Sequence, residues 1–146
     1  MTEPVYSLTK VKMLTNGAFE SVIRKDGVMV GTAENSGRGG CNNYYSFINQ
    51  TERALFTARS KEVMGEDEFE VEDLYTNRLL AFFDANKVRS GMVSVDSVND
   101  FHETGRYMVI GRKAAKEAII AHVKSKTPDR LLWSKEAYDF IPASQF

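Results

Sequence analysis

Two turn dipeptides, Asn16-Gly17 and Asp26-Gly27, stand ten residues apart, and each is flanked by alternating apolar and polar residues. Both central positions of a tight hairpin turn require or tolerate positive φ, which Asn, Asp and Gly supply at low cost. Between the turns, residues 18–25 put Phe19, Ser21 and Ile23 on one face and Glu20, Val22 and Arg24 on the other. That is a period of two, the signature of a half-buried strand. After the second turn, residues 28–33 continue the pattern, with Val28 and Val30 on one face and Met29 on the other. A short segment before the first turn, residues 10–14, completes a three-stranded antiparallel meander.

The rest of the chain mixes helices with a second β region. Residues 44–48 read as a further strand or a lead-in. Asn49 precedes a plausible helix over 51–64, with Glu52 in capping-box position. Its expected apolar face rests on Leu55 and Ala58. Gly65 breaks it. A stronger helix spans 70–86, where Val71, Tyr75, Leu79, Phe82 and Phe83 recur at helical spacing. Residues 92–95 and 106–110 read as a β pair joined by the polar stretch 96–105. Residues 112–126 form a third helix, with Ala115, Ile119, Ile120 and Val123 facing inward and Pro128 preventing continuation. The tail has Leu131-Leu132-Trp133, then a short closing helix or turn over 134–141. Strands cluster instead of alternating with helices, which predicts an α+β fold: one domain over 1–146, an N-terminal meander plus a second β pair, packed against about three helices.

The third strand of the meander runs into Asn35-Ser36-Gly37-Arg38-Gly39-Gly40-Cys41-Asn42-Asn43-Tyr44-Tyr45. Glycine amides in a turn can form a nest for an anion. Arg38 adds a flat, permanently charged fork, and Tyr44 or Tyr45 offers a ring for stacking. The candidate ligand-binding set is therefore Gly37, Arg38, Gly39, Gly40, Asn42, Asn43, Tyr44 and Tyr45. The spacing matches neither the dinucleotide fingerprint nor the phosphate loop. The plainer reading is a long turn packed by its tyrosines.

Three other features carry chemistry. The acidic run Glu66, Asp67 and Glu68, continued by Glu70, Glu72 and Asp73, suits first of all a helix start through the helix dipole; its other readings are a surface for a basic partner and a mimic of a phosphate backbone that blocks a nucleic-acid-binding protein. Cys41 is the one cysteine, which excludes an intrachain disulfide. With His102 or His122 as base, it is the candidate nucleophile of a small hydrolase or transferase; its plainer reading is a small, semi-buried side chain. Two histidines without HExxH spacing or a Cys cluster give no zinc signature, the EF-hand spacing is absent, and no metal or other cofactor is expected. The cations Arg112, Lys113, Lys116, Lys124, Lys126 and Arg130 read as the solvated side of an amphipathic helix and of the segment after it.

The net charge of -1 argues against nucleic acid as the main partner, because duplex binders carry a basic excess. No apolar run approaches the ~18 residues of a spanning helix, so no membrane partner is expected. Met1-Thr2-Glu3-Pro4 lacks the basic and apolar regions of a signal peptide, and a soluble cytoplasmic protein is the expectation. Exposed sheet edges leave a homodimer open.

The segment with Asp26-Gly27, then Asn35 to Asn42, then Tyr44, resembles a pattern in small uncharacterised proteins borne by phages and plasmids. There a strand ending near Asn or Asp leads into a Gly-Arg-Gly-Gly turn and an aromatic residue. The C-terminal Thr127-Pro128-Asp129 to Ser134-Lys135-Glu136 is similar to the tail of such proteins. The resemblance implies an accessory, counter-defence context, in which small proteins sequester a signal or block a host enzyme. The expectation is thus a non-enzymatic binding protein that takes an anionic or phosphorylated small molecule, or a host protein, at the glycine loop. The alternatives are an inhibitor acting through the acidic segment and an enzyme using Cys41 or His102.

Overall fold

The computed structural model describes residues 3–44, 46–66 and 68–146. It is α+β, with four helices and seven strands among the described residues, and its strands form two antiparallel sheets. The chain gathers into two compact units, Met1–Leu80 and Ala81–Phe146. The boundary falls within the second helix.

In the first unit, β1 (Tyr6–Met13), β2 (Phe19–Lys25) and β3 (Val28–Asn35) form the meander in the order β1-β2-β3. Both turn glycines have positive φ, +85° at Gly17 and +83° at Gly27. Phe19, Ser21 and Ile23 are buried, as the alternation predicts. Val28 does not follow Val30 inward: Val28 is 64% exposed and Val30 is 2% exposed. The cause is a β-bulge. Ile23 pairs with Gly31 but Arg24 with Met29, so Val30 is an extra residue and the faces change register there. Gly31 has no Cβ because the Phe47 ring lies where one would be, at 2.9 Å.

Residues 44 and 46–48 are a lead-in, not a strand, tied to the sheet by the Ile48 N–H donating to the Val30 carbonyl at 2.9 Å. Helix α1 (Gln50–Met64) then starts at Asn49, whose side chain accepts from the Glu52 N–H at 2.8 Å. Its inward face is Phe56 and Ser60. Leu55 and Ala58, the expected apolar face, are exposed. One large ring carries the packing: Phe56 meets Tyr6, Tyr44, Phe47 and Tyr75 at centroid distances of 5.3–5.8 Å. Helix α2 (Val71–Asn86) buries Val71, Tyr75, Leu79 and Phe82 as its periodicity predicts, whereas Phe83 is only partly buried, with the Lys87 ammonium 4.6 Å from its ring centroid.

In the second unit, β4 (Met92–Val95), β5 (Met108–Ile110), β6 (Leu131–Ser134) and β7 (Asp139–Pro142) form a sheet in the order β5-β4-β6-β7. The polar stretch between β4 and β5 holds a helix, α3 (Val98–Thr104), capped by Ser97 and ended by Gly105 at φ +68°. Phe101 is its buried anchor. The tail 134–141 is a strand hairpin, not a closing helix: Leu131 pairs with Pro142 and Trp133 with Phe140. Helix α4 (Lys116–Lys126) begins later than its charge pattern suggests, because Gly111 has φ +68° and residues 112–114 form a turn. It packs Ile119 and Val123 with Met92, Leu132 and Ala143. No helix among the described residues is long and apolar enough to cross a membrane.

Candidate functional site

The glycine loop leaves β3 at Asn35 and is closed on itself. Glu34 and Asn43 exchange backbone hydrogen bonds of 3.1 and 2.7 Å, joining its two ends. Inside, Asn35 works in both directions. Its Oδ1 accepts from the Gly37 N–H at 2.8 Å, and its Nδ2 donates to the Gly40 carbonyl and to Asn42 Oδ1, both at 3.0 Å. An asparagine side chain can serve both roles because its amide carries a donor and an acceptor. Gly37, at φ +77°, lies against the β1–β2 turn, and a Cβ there would meet Ala18 N and the Asn16 side chain at 2.9 Å. Glycine is required by both conformation and space. Gly39 and Gly40 are different: nothing lies within 4 Å of where their Cβ would be.

The end of the loop is anchored to α2. Asp73 accepts from the Asn42 N–H through Oδ2 at 3.1 Å and from the Tyr44 hydroxyl through Oδ1 at 2.8 Å. The same hydroxyl lies 2.9 Å from Thr76 Oγ1 and accepts from Asn42 Nδ2 at 3.2 Å. Burial pushes the Tyr44 phenol well above its ordinary range, so it stays a neutral donor. The Arg53 guanidinium lies over its ring, 4.9 Å from the centroid, and Phe56 packs at 5.8 Å. Tyr44 is thereby placed to hold the loop. Arg53 is itself paired with Glu72, which also accepts from Thr57.

A cavity of about 640 Å³ opens beside this loop. One wall is Asn35, Gly37, Gly39, Gly40, Cys41 and Asn42; the facing residues are Phe69, Glu70, Asp73, Leu74, Asn77 and Leu80; Met13, Asn16, Gly17 and Phe19 contribute from the meander. Two segments that read separately in the sequence, the glycine loop and the end of the acidic run, thus line one cavity. A second cavity of about 500 Å³, richer in apolar surface, shares Phe19 and Asn35 with it and adds Leu14, Ala18 and Asn43.

Of the expected ligand set, Gly37, Gly39, Gly40 and Asn42 line the larger cavity, and Asn43 lines the smaller. Arg38 is exposed and lines neither. Tyr45 and Asp67 lie outside the described residues. Glu66 and Glu68 are exposed on the α1–α2 connection, with Glu66 4.0 Å from Lys61. Cys41 is exposed and faces the larger cavity from the first unit; His102, on α3, and His122, on α4, belong to the second. The cavity lining contains no Lys, Arg or His among the described residues. No group of three or more His, Cys, Asp or Glu among them is arranged to hold a metal ion.

Sequence reasoning missed Phe69, Asn16 and Asn77 as part of the site, and read Asp73 as helix-start charge or partner surface without linking it to the glycine loop. The one available signal was Phe69, a lone aromatic residue within an acidic run. Comparison of the chain with protein-family models, curated proteins and solved structures gives no match.

Proposed function

We propose that this chain is a non-enzymatic binding protein, of the accessory kind that mobile elements carry, and that it captures a host protein. The capture surface is the face shared by the glycine loop and the α1–α2 connection. One observation carries the reading: Gly37, Gly39, Gly40, Cys41 and Asn42 line the same cavity as Phe69, Glu70 and Asp73, with exposed Glu66 and Glu68 on the adjoining connection. The loop and acidic segment then act as one surface instead of two alternatives. The loop is tied internally by Asn35 and externally by Asp73. Such preorganisation lowers the ordering cost of association.

A second reading, an anionic or phosphorylated small molecule held by Arg38 with the Gly39 and Gly40 amides, is favoured by the exposure of Arg38 beside two glycines with open space. The hydrolase or transferase reading through Cys41 or His102 gains no support from the lining, which brings no histidine to the thiol.

Cys41 supplies the test, because it is the one cysteine and is exposed at the cavity. A photo-crosslinker attached there should capture a discrete host protein. Capture should fall at least severalfold when Glu66, Glu68 and Glu70 are changed to Lys. If nothing is captured, while a nucleotide stabilises the protein by ~2.7 kcal/mol at about 100 times its Kd and Arg38→Ala abolishes that shift, the small-molecule reading replaces this one.

A further inference from the structure

We infer that the larger cavity takes a cationic side chain of the partner, and that arginine fits it best; this rests on the binding-protein reading above. The first argument is charge. Glu70 and Asp73 line the cavity, and no cationic side chain does among the described residues. An anion entering would meet two carboxylates with no counter-charge in the wall. Among the neighbouring acids, Glu72 is paired with Arg53, whose charge also reaches Asp73 from outside the cavity lining, and Glu66 lies near Lys61. Glu70 is exposed and makes no ion pair among the described residues. Asp73 already holds Asn42 and Tyr44, one donor on each oxygen. A carboxylate accepts about four, so it retains capacity for a bound donor.

The second argument is shape and surface. Phe69 lines the cavity and is 84% exposed, so its ring is open to a ligand. A guanidinium stacks on an aromatic face and is attracted by its quadrupole. Its five donors, fixed in a plane, can serve several acceptors at once, and the lining offers acceptor-bearing side chains in Glu70, Asp73 and Asn77. A lysine satisfies the charge but not the stacking or the fork. The volume, about 640 Å³, exceeds one side chain and leaves room for the flanking backbone against Gly39 and Gly40.

The test is a titration of the isotope-labelled full chain, monitored by amide NMR. The probes are an acetylated, amidated Gly-Arg-Gly peptide, its citrulline counterpart and inorganic phosphate. The arginine peptide should shift the Gly39, Gly40 and Cys41 amides saturably, more weakly as salt is raised. Citrulline, the same shape without charge, should bind roughly tenfold more weakly. Phe69→Ala and Glu70→Gln, both at exposed positions, should each weaken binding severalfold in proteins whose spectra remain well dispersed. Equal binding of citrulline, shifts from phosphate but not arginine, or indifference to both variants would overturn the inference. The two proposals can fail separately. A host protein crosslinked at Cys41 through an acidic or apolar segment removes the arginine and keeps the binding face. Arginine binding with no host protein captured does the reverse.

Discussion

Each unit of this protein is built on one aromatic cluster, and the clusters differ at their polar ends. In the first, Phe56 is ringed by Tyr6, Tyr44, Phe47 and Tyr75. In the second, Phe82 meets Trp133, Tyr138, Phe140 and Phe101 at 5.1–6.2 Å. The second cluster directs its indole N–H to Asn86 at 2.9 Å, within the segment that carries Phe82. The first turns the Tyr44 hydroxyl to Asp73, which also holds the Asn42 amide of the glycine loop. Burial of the ring therefore also immobilises irregular backbone at the cavity. The same packing physics closes a core in one unit and positions a candidate site in the other.

The largest effect should come from breaking the second cluster. Phe82→Ala deletes a ring in contact with four aromatic neighbours. It should cost about 3–5 kcal/mol in urea denaturation tracked by the fluorescence of Trp133. A loss below about 1 kcal/mol would show that these rings do not form a tightly packed core. Next is Asp73→Ala, which leaves the Asn42 N–H without its acceptor and the Tyr44 hydroxyl with Thr76 alone to accept from it. The expected cost is about 1–3 kcal/mol, with faster hydrogen exchange at Asn42. If exchange there is unchanged, the Glu34–Asn43 bridge and Asn35 hold the loop unaided, and the contrast between the clusters loses its meaning.

Much of the fold was legible because its signals are local. Asn16-Gly17 and Asp26-Gly27 give the meander, and Val71, Tyr75, Leu79 and Phe82 give α2. The elements that escaped were either short or non-local. Helix α3 has seven residues, too few for a periodic face, though Ser97 and Gly105 mark both its ends. The β6–β7 hairpin lacks a two-residue Asn-Gly turn, and Tyr138 instead adopts positive φ, at 50°. The bulge at Val30 appears only through pairing with β2. For the site, the glycine loop stands out in composition, but its facing wall does not. Nothing in the local sequence of Asp73 shows that its partners are Asn42 and Tyr44, because those contacts exist only once α2 is packed.

The smallest effect sharpens the comparison at the helix starts. Asn49 caps α1 in the first unit with an accepted bond of 2.8 Å, and Ser97 caps α3 in the second at 3.3 Å. The first lies in the usual range for an N–H donor, and the second is slightly beyond it. Asn49→Ala should therefore cost about 1 kcal/mol, and Ser97→Ala about half of that, read as shifts of the urea midpoint at constant slope. The ranking has a second cause. Asn49 joins α1 to the lead-in carrying Tyr44 and Phe47, and Phe47 covers Gly31. Ser97 starts a short helix whose one buried anchor, Phe101, is held by its own ring contacts. If the two substitutions cost the same, the cap on α1 is a local bond only, and the first unit holds its loop through Asp73 rather than through the geometry of the lead-in.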